Sequence, residues 1–95
     1  MIDVDKEKIG GLIKWWTETD TQGIDFKKYF ISPVMEYLGD DEDEIKKYLF
    51  SMNIDDLACI SGAFEYIYGK FMNDDMYTFL YSLESKVKKY NEGIH

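Results

Sequence analysis

The densest group of side chains able to do chemistry is Asp40, Asp41, Glu42, Asp43 and Glu44, which run together in the stretch GDDEDEIKKYLF from Gly39 to Phe50. Adjacent carboxylates can ligate a hard cation, attract a basic protein or start a helix. A calcium loop of the EF-hand type needs glycine at its sixth position and a bidentate glutamate at its twelfth. Counted from Asp40, those positions hold Ile45 and Ser51; counted from Asp3, they hold Lys8 and Lys14. Both frames fail, so neither a metal site nor a cofactor is expected.

Other reactive groups are sparse. Cys59 is the only cysteine, which excludes an internal disulfide and a thiolate zinc cluster and fits a reducing compartment. It is expected to be an inert core thiol. The only histidine, His95, is the terminal residue and is poorly placed to activate a thiol in mid-helix. Gly10-Gly11 belongs to no strand-loop-helix phosphate signature, and no GK[ST] follows it. Acid and base catalysis would need one carboxyl buried to raise its pKa, and the acids lie in polar runs. No catalytic residue is expected, and the chain is not read as an enzyme.

Charge narrows the choice of partner. Nineteen acids and eleven lysines give a net charge of −8, and arginine is absent. Such a chain repels polyanions and lacks the preferred fork for phosphate and guanine, so direct nucleic-acid binding is not expected. A basic protein, or a surface that normally holds nucleic acid, is the complementary partner. The charge is also local: residues 1–38 carry seven acids and five lysines, residues 39–76 ten and three, and residues 77–95 two and three. The start of the chain has no basic leader, and no window approaches the roughly 18 uninterrupted apolar residues of a membrane span. A cytoplasmic protein with no membrane contact is expected.

Hydrophobic spacing sets the frame that must position these groups. With 95 residues, 45% of them hydrophobic, the chain can bury one core, so residues 1–95 are read as a single domain. Helical periodicity recurs throughout and strand-like alternation does not persist. Ile9, Leu12, Ile13 and Trp16 form the first stripe, with Asp3 or Asp5 as its cap and Gly10 and Gly11 marking a close neighbour. A polar turn, Thr17 to Gly23, leads to Phe26, Phe30, Val34, Tyr37 and Leu38, where Pro33 predicts a kink or a fresh helix start. The third stripe is Ile45, Tyr48, Leu49 and Met52. The fourth is Leu57, Ile60, Phe64, Ile67, Tyr68 and Phe71, and its small residues, Gly62 and Gly69 among them, predict a central helix approached closely by a neighbouring backbone. The fifth is Met76, Phe79, Leu80, Leu83, Val87 and Tyr90, fraying from Asn91. An all-α fold follows: a compact bundle or orthogonal array of about five short helices with antiparallel neighbours.

This frame gives the acids two roles. They precede helices, while Lys86, Lys88 and Lys89 lie toward the end of the last one, as the macrodipole favours. Gly39, Asn53 and Asn73 supply stops and caps. Five carboxylates exceed what one helix start needs, however. If neighbours are antiparallel, the first, third and fifth helices start at one end and gather Asp3, Asp5, Asp40 to Glu44, Asp74 and Asp75 into a negative rim. Tyr77 and Tyr81 stand beside it, slightly off the core stripe, and are either interface anchors or core-edge rings. The candidate partner-binding residues are therefore Asp40, Asp41, Glu42, Asp43, Glu44, Asp74, Asp75, Tyr77 and Tyr81.

The run DDLACISGAFEYIYGKFMNDDMYTFLYSLESKVKKY, Asp55 to Tyr90, carries an L-x-x-I-S-x-x-F-E helix at Leu57 to Glu65, a polar turn and a second helix closing in lysines. In these features it resembles the end of the small acidic helical immunity proteins encoded beside contact-dependent inhibition and other polymorphic toxins in bacteria. The resemblance implies a cytoplasmic protein that binds a cognate toxin domain, commonly a basic nuclease, and blocks its active site or substrate groove. Two other readings stand beside it. A nucleic-acid mimic would space its acids along one face, and a small helical adaptor would homodimerise through aromatic surface such as Trp15 and Tyr66. Alone, the chain is expected to be a monomer or a weak dimer.

Overall fold

Asp5, Asp41, Asn53 and Asn73 fix where four helices begin. Each side-chain oxygen accepts from the backbone N–H three residues on, at Lys8 (3.1 Å), Glu44 (3.2 Å), Asp56 (2.9 Å) and Met76 (2.7 Å), satisfying a donor that the first helical turn leaves unpaired. A computed structural model describes residues 4–93, and Asp3 and His95 lie outside them. The fold is all-α: the described residues are 82% helical, in five segments. These are α1 (Lys6–Glu18); a π-turn at Lys27–Ile31 running into α2 (Ser32–Leu38); α3 (Glu42–Ser51); α4 (Ile54–Ile60), a 3-10 turn at Ser61–Ala63 and α5 (Phe64–Phe71); and α6 (Asp74–Gly93).

Pro33 shapes the second segment as expected, because α2 starts one residue before it. Proline has no N–H to donate, and its ring crowds the carbonyl four residues back. The chain avoids this conflict by widening the turn ahead of it, so that the Ser32 N–H donates to the Lys27 carbonyl five residues back. The wide turn brings both Phe30 and Ile31 into the core, and Ile31 lies outside the expected stripe. Gly39 stops α2 with φ +74°, a conformation that suits glycine.

The fourth segment lies between α1 and α6: α4 packs on both, and α5 packs on α6. Its centrality holds only for the first half. Tyr66, Tyr68, Gly69 and Lys70 are exposed, which removes Tyr68 from the expected core stripe. The close approach expected at its small residues comes from a side chain instead of a backbone. A Cβ on Gly62 would stand 2.7 Å from a Phe26 ring carbon, whereas nothing lies within 4 Å of one on Gly69, Gly10 or Gly11. The Phe26 ring is held there by Phe30 (5.0 Å, stacked) and Trp16 (4.9 Å).

All five segments contribute to one core, and no charged or polar side chain is buried among the described residues. The fifth helix does not fray at Asn91, since α6 continues to Gly93. Lys86, Lys88 and Lys89 consequently fall short of its last turn, where a cation would gain most from the dipole.

Candidate partner-binding surface

Three contacts assemble the acidic end. The Asp5 N–H donates to the Tyr37 carbonyl (2.8 Å), tying the start of α1 to the end of α2. Lys70 Nζ donates to the Gly39 carbonyl (2.6 Å), and Asn73 Nδ2 donates to Glu42 Oε1 (2.9 Å). The starts of α1, α3 and α6 are thereby linked in one neighbourhood, with Asp41 to Glu44 and Asp74–Asp75 at two of them.

Much of the acid run serves the fold. Asp41 caps α3, Glu42 holds Asn73 and pairs with Lys46 (3.5 Å), and Glu44 pairs with Lys47 (3.5 Å). Pairs within one helix, here one half-buried (Glu42–Lys46) and one exposed (Glu44–Lys47), contribute only about 0.3 to 0.5 kcal/mol each, but they reduce the negative surplus that a count of carboxylates implies. Asp40, Asp43, Asp74 and Asp75 are exposed. Among the described residues, no three His, Cys, Asp or Glu side chains form a group able to hold a metal ion.

The tyrosines have a different character. Helical spacing puts Asp74, Tyr77, Tyr81 and Glu84 in one row along α6. Tyr77 is 54% exposed and Tyr81 61%, so neither is a core-edge ring. Their rings stack at 6.3 Å and 22°, and Tyr68 of α5 meets Tyr77 edge-on at 5.4 Å and 67°. These are favourable aromatic geometries. Between the helices lies a cleft of about 320 Å³, floored by Phe64 and Leu80 and walled by Glu65, Tyr68, Tyr77, Tyr81 and Glu84. At Tyr81 and Glu84 it meets a second cleft of about 600 Å³ that runs past Ser61, Ser85 and Lys88. Tyr68, Glu65 and Glu84 are absent from the candidate set drawn from sequence. Their signal was present as the i, i+3 pair Glu65 and Tyr68 on α5 and the i+7 position of Glu84 relative to Tyr77 on α6.

The link between the two helices is strained as well as exposed. Met72 closes α5 with φ +46°, the single non-glycine residue at positive φ among those described, and its side chain is 71% exposed. A left-handed backbone costs a non-glycine residue about 1 to 2 kcal/mol.

Cys59 is half-buried, and burial, followed by the charge of Asp56, pushes its pKa up. It is therefore a protonated thiol at neutral pH, unsuited to nucleophilic attack. Among the described residues, no helix is long and apolar enough to cross a membrane. Comparison of the chain with family models, curated proteins and solved structures found no match in any of the three.

Proposed function

We propose that this chain is a non-catalytic, cytoplasmic inhibitor of the immunity type, which binds and neutralises a basic toxin domain, a nuclease by preference. The observation that carries this reading is where its uncovered apolar surface lies. Of the eight exposed large hydrophobic side chains among the described residues, five (Tyr66, Tyr68, Met72, Tyr77 and Tyr81) belong to the unit from α5 to α6. Single exposed rings are ordinary, but a concentration bordered by carboxylates is the composition of a protein interface. Glu65 and Glu84 line the cleft with three of these rings and Asp74 shares the row of Tyr77 and Tyr81 on α6, and Asp40 to Glu44 extend the negative field that would steer a basic partner. The paired and clustered carboxylates, Glu42 to Glu44, Asp55–Asp56 and Asp74–Asp75, fall in the first turns of three separate helices, which favours this reading over nucleic-acid mimicry.

The test is expression of the chain with the products of the genes beside its own. One of them should inhibit growth when expressed alone, be neutralised by this chain, and form a 1:1 complex whose association slows as salt rises. If no neighbouring product is toxic or bound, the reading fails.

A further inference from the structure

We infer that the cleft between α5 and α6 receives an arginine side chain presented by the protein partner, its guanidinium lying against Tyr68, Tyr77 and Tyr81 and its N–H groups donating to Glu65 and Glu84. This deepens the partner-binding reading and rests on it.

The chain itself supplies the comparison that points to a cation. Its own lysines lie over five other aromatic rings: Lys8 over Tyr37 (5.4 Å), Lys27 over Tyr66 (5.6 Å), Lys28 over Tyr29 (5.4 Å), Lys70 over Phe71 (5.7 Å) and Lys86 over Phe50 (5.1 Å). A ring carries negative potential on its face, and a lysine above it satisfies that potential. Among the described residues, no lysine lies over Tyr68, Tyr77 or Tyr81, although Tyr77 and Tyr81 are more exposed than any of the other tyrosines. The two carboxylates beside them have no ion pair among the described residues either. Tyr77 and Tyr81 cover one another only in part and Tyr68 meets Tyr77 by an edge, so ring surface that stays open to solvent stands beside Glu65 and Glu84 in one cleft, and both match a cation in charge.

Shape selects arginine over lysine. Guanidinium is flat and weakly hydrated, so it stacks on an aromatic face while its edge donates to carboxylates; ammonium is a compact, strongly hydrated charge. The geometry suits a protein chain over a free small molecule, because the cleft continues into the larger one past Tyr81 and Glu84, giving the flanking main chain somewhere to lie. The absence of arginine from this chain means that its own copies cannot provide the group.

The experiment titrates the full chain with a blocked tetra-arginine peptide at low salt, followed by NMR of the tyrosine rings and backbone amides. Saturable shifts are expected at Tyr68, Tyr77 and Tyr81, with tetralysine binding at least about fivefold more weakly. The double variant Tyr77→Ala/Tyr81→Ala should weaken binding by about tenfold or more, and Tyr77→Phe/Tyr81→Phe should keep it within about twofold, since the ring face survives. Glu65→Gln/Glu84→Gln should cost about fivefold, against less than about twofold for Asp40→Asn/Asp43→Asn. Circular dichroism verifies that each variant is folded. Shifts confined to Asp40–Glu44, or equal binding of tetralysine, overturn the proposal. If the titration fails while the 1:1 complex with a neighbouring toxin persists, the arginine cleft is wrong and the inhibitor reading stands; if peptide binds but no such toxin exists, the inhibitor reading is the one that fails.

Discussion

Gly62 and the pair Gly10–Gly11 are small for unrelated reasons. Gly62 lies beneath the Phe26 ring, where a Cβ would meet ring carbons at 2.7 and 2.9 Å, and the ring cannot retreat easily from its stack with Phe30 and Trp16. Gly62→Ala is expected to lower stability by about 1 to 2 kcal/mol through overpacking, despite alanine's better helix propensity. At Gly10 and Gly11 the space is open and the backbone is helical. Alanine at either should raise stability by about 0.5 to 1 kcal/mol. Urea denaturation of the three variants checks both signs, and a stabilised Gly62→Ala would show that the Phe26 contact is slack. From sequence, all three glycines look like sites of close approach, because spacing along a helix shows which face a residue occupies but not what stands opposite it.

Asn73 joins two elements with one side chain. Its Oδ1 accepts from the Met76 N–H at 2.7 Å to start α6, while its Nδ2 donates to Glu42 at 2.9 Å on α3. Asn73→Ala should cost about 2 kcal/mol, roughly half for the cap and half for the link. Asn73→Asp isolates the second part, since it keeps a capping oxygen but sets a carboxylate against Glu42. It should be less stable than wild type at neutral pH in urea unfolding, and equal stability would mean that the link contributes nothing. Asn53 and Asn73, and Asp5 as one of two alternatives, were legible as caps because a cap acts over three residues. Asp41 was not singled out, since the run Asp40 to Glu44 was expected to precede the helix whereas Glu42 to Glu44 form its first turn. The contacts from Lys70 to Gly39 and from Asn73 to Glu42 each span 31 residues, and local spacing carries no record of them. Tyr68 was misplaced for a related reason: an aromatic on a helical stripe reads as core, and spacing does not show that its ring meets another exposed ring, Tyr77.

At the scale of the whole molecule, the far end of α6 is tied to the start of α4 by the Tyr90 hydroxyl, which donates to Asp55. The hydrogen bond first, then desolvation, then the charge of Asp55 raise the Tyr90 pKa above 10. The folded state thus holds this proton more tightly than the unfolded chain does. Its contribution to stability is complete below the unfolded value and is lost as pH rises through the higher folded one. Tyr48 is shifted the same way, by burial and then by Asp56, so wild type should lose stability from both groups in alkali. Tyr90→Phe should lower stability near neutral pH and flatten the alkaline loss without abolishing it, as read from urea midpoints taken between about pH 8 and 11. An unchanged alkaline slope in that variant would mean that the tie does not form in solution. The negative excess of the middle of the chain was visible in sequence, but its division between structural pairs and exposed carboxylates depended on where Lys46, Lys47 and Asn73 reach.

The wide turn before Pro33 also bears on how this chain can change length over evolutionary time. A π-turn closes over one residue more than an α-turn, so Lys27–Ile31 has the form of an insertion absorbed in place. Losing one residue there would restore a regular helix but rotate the turn before it by about 100° relative to α2, swinging Phe26 off Gly62 and away from Trp16 of α1. Length variants in a lineage of such chains should therefore accumulate in the polar connection at residues 19–25, which links helices without phasing them, and be purged from the five residues that follow Phe26.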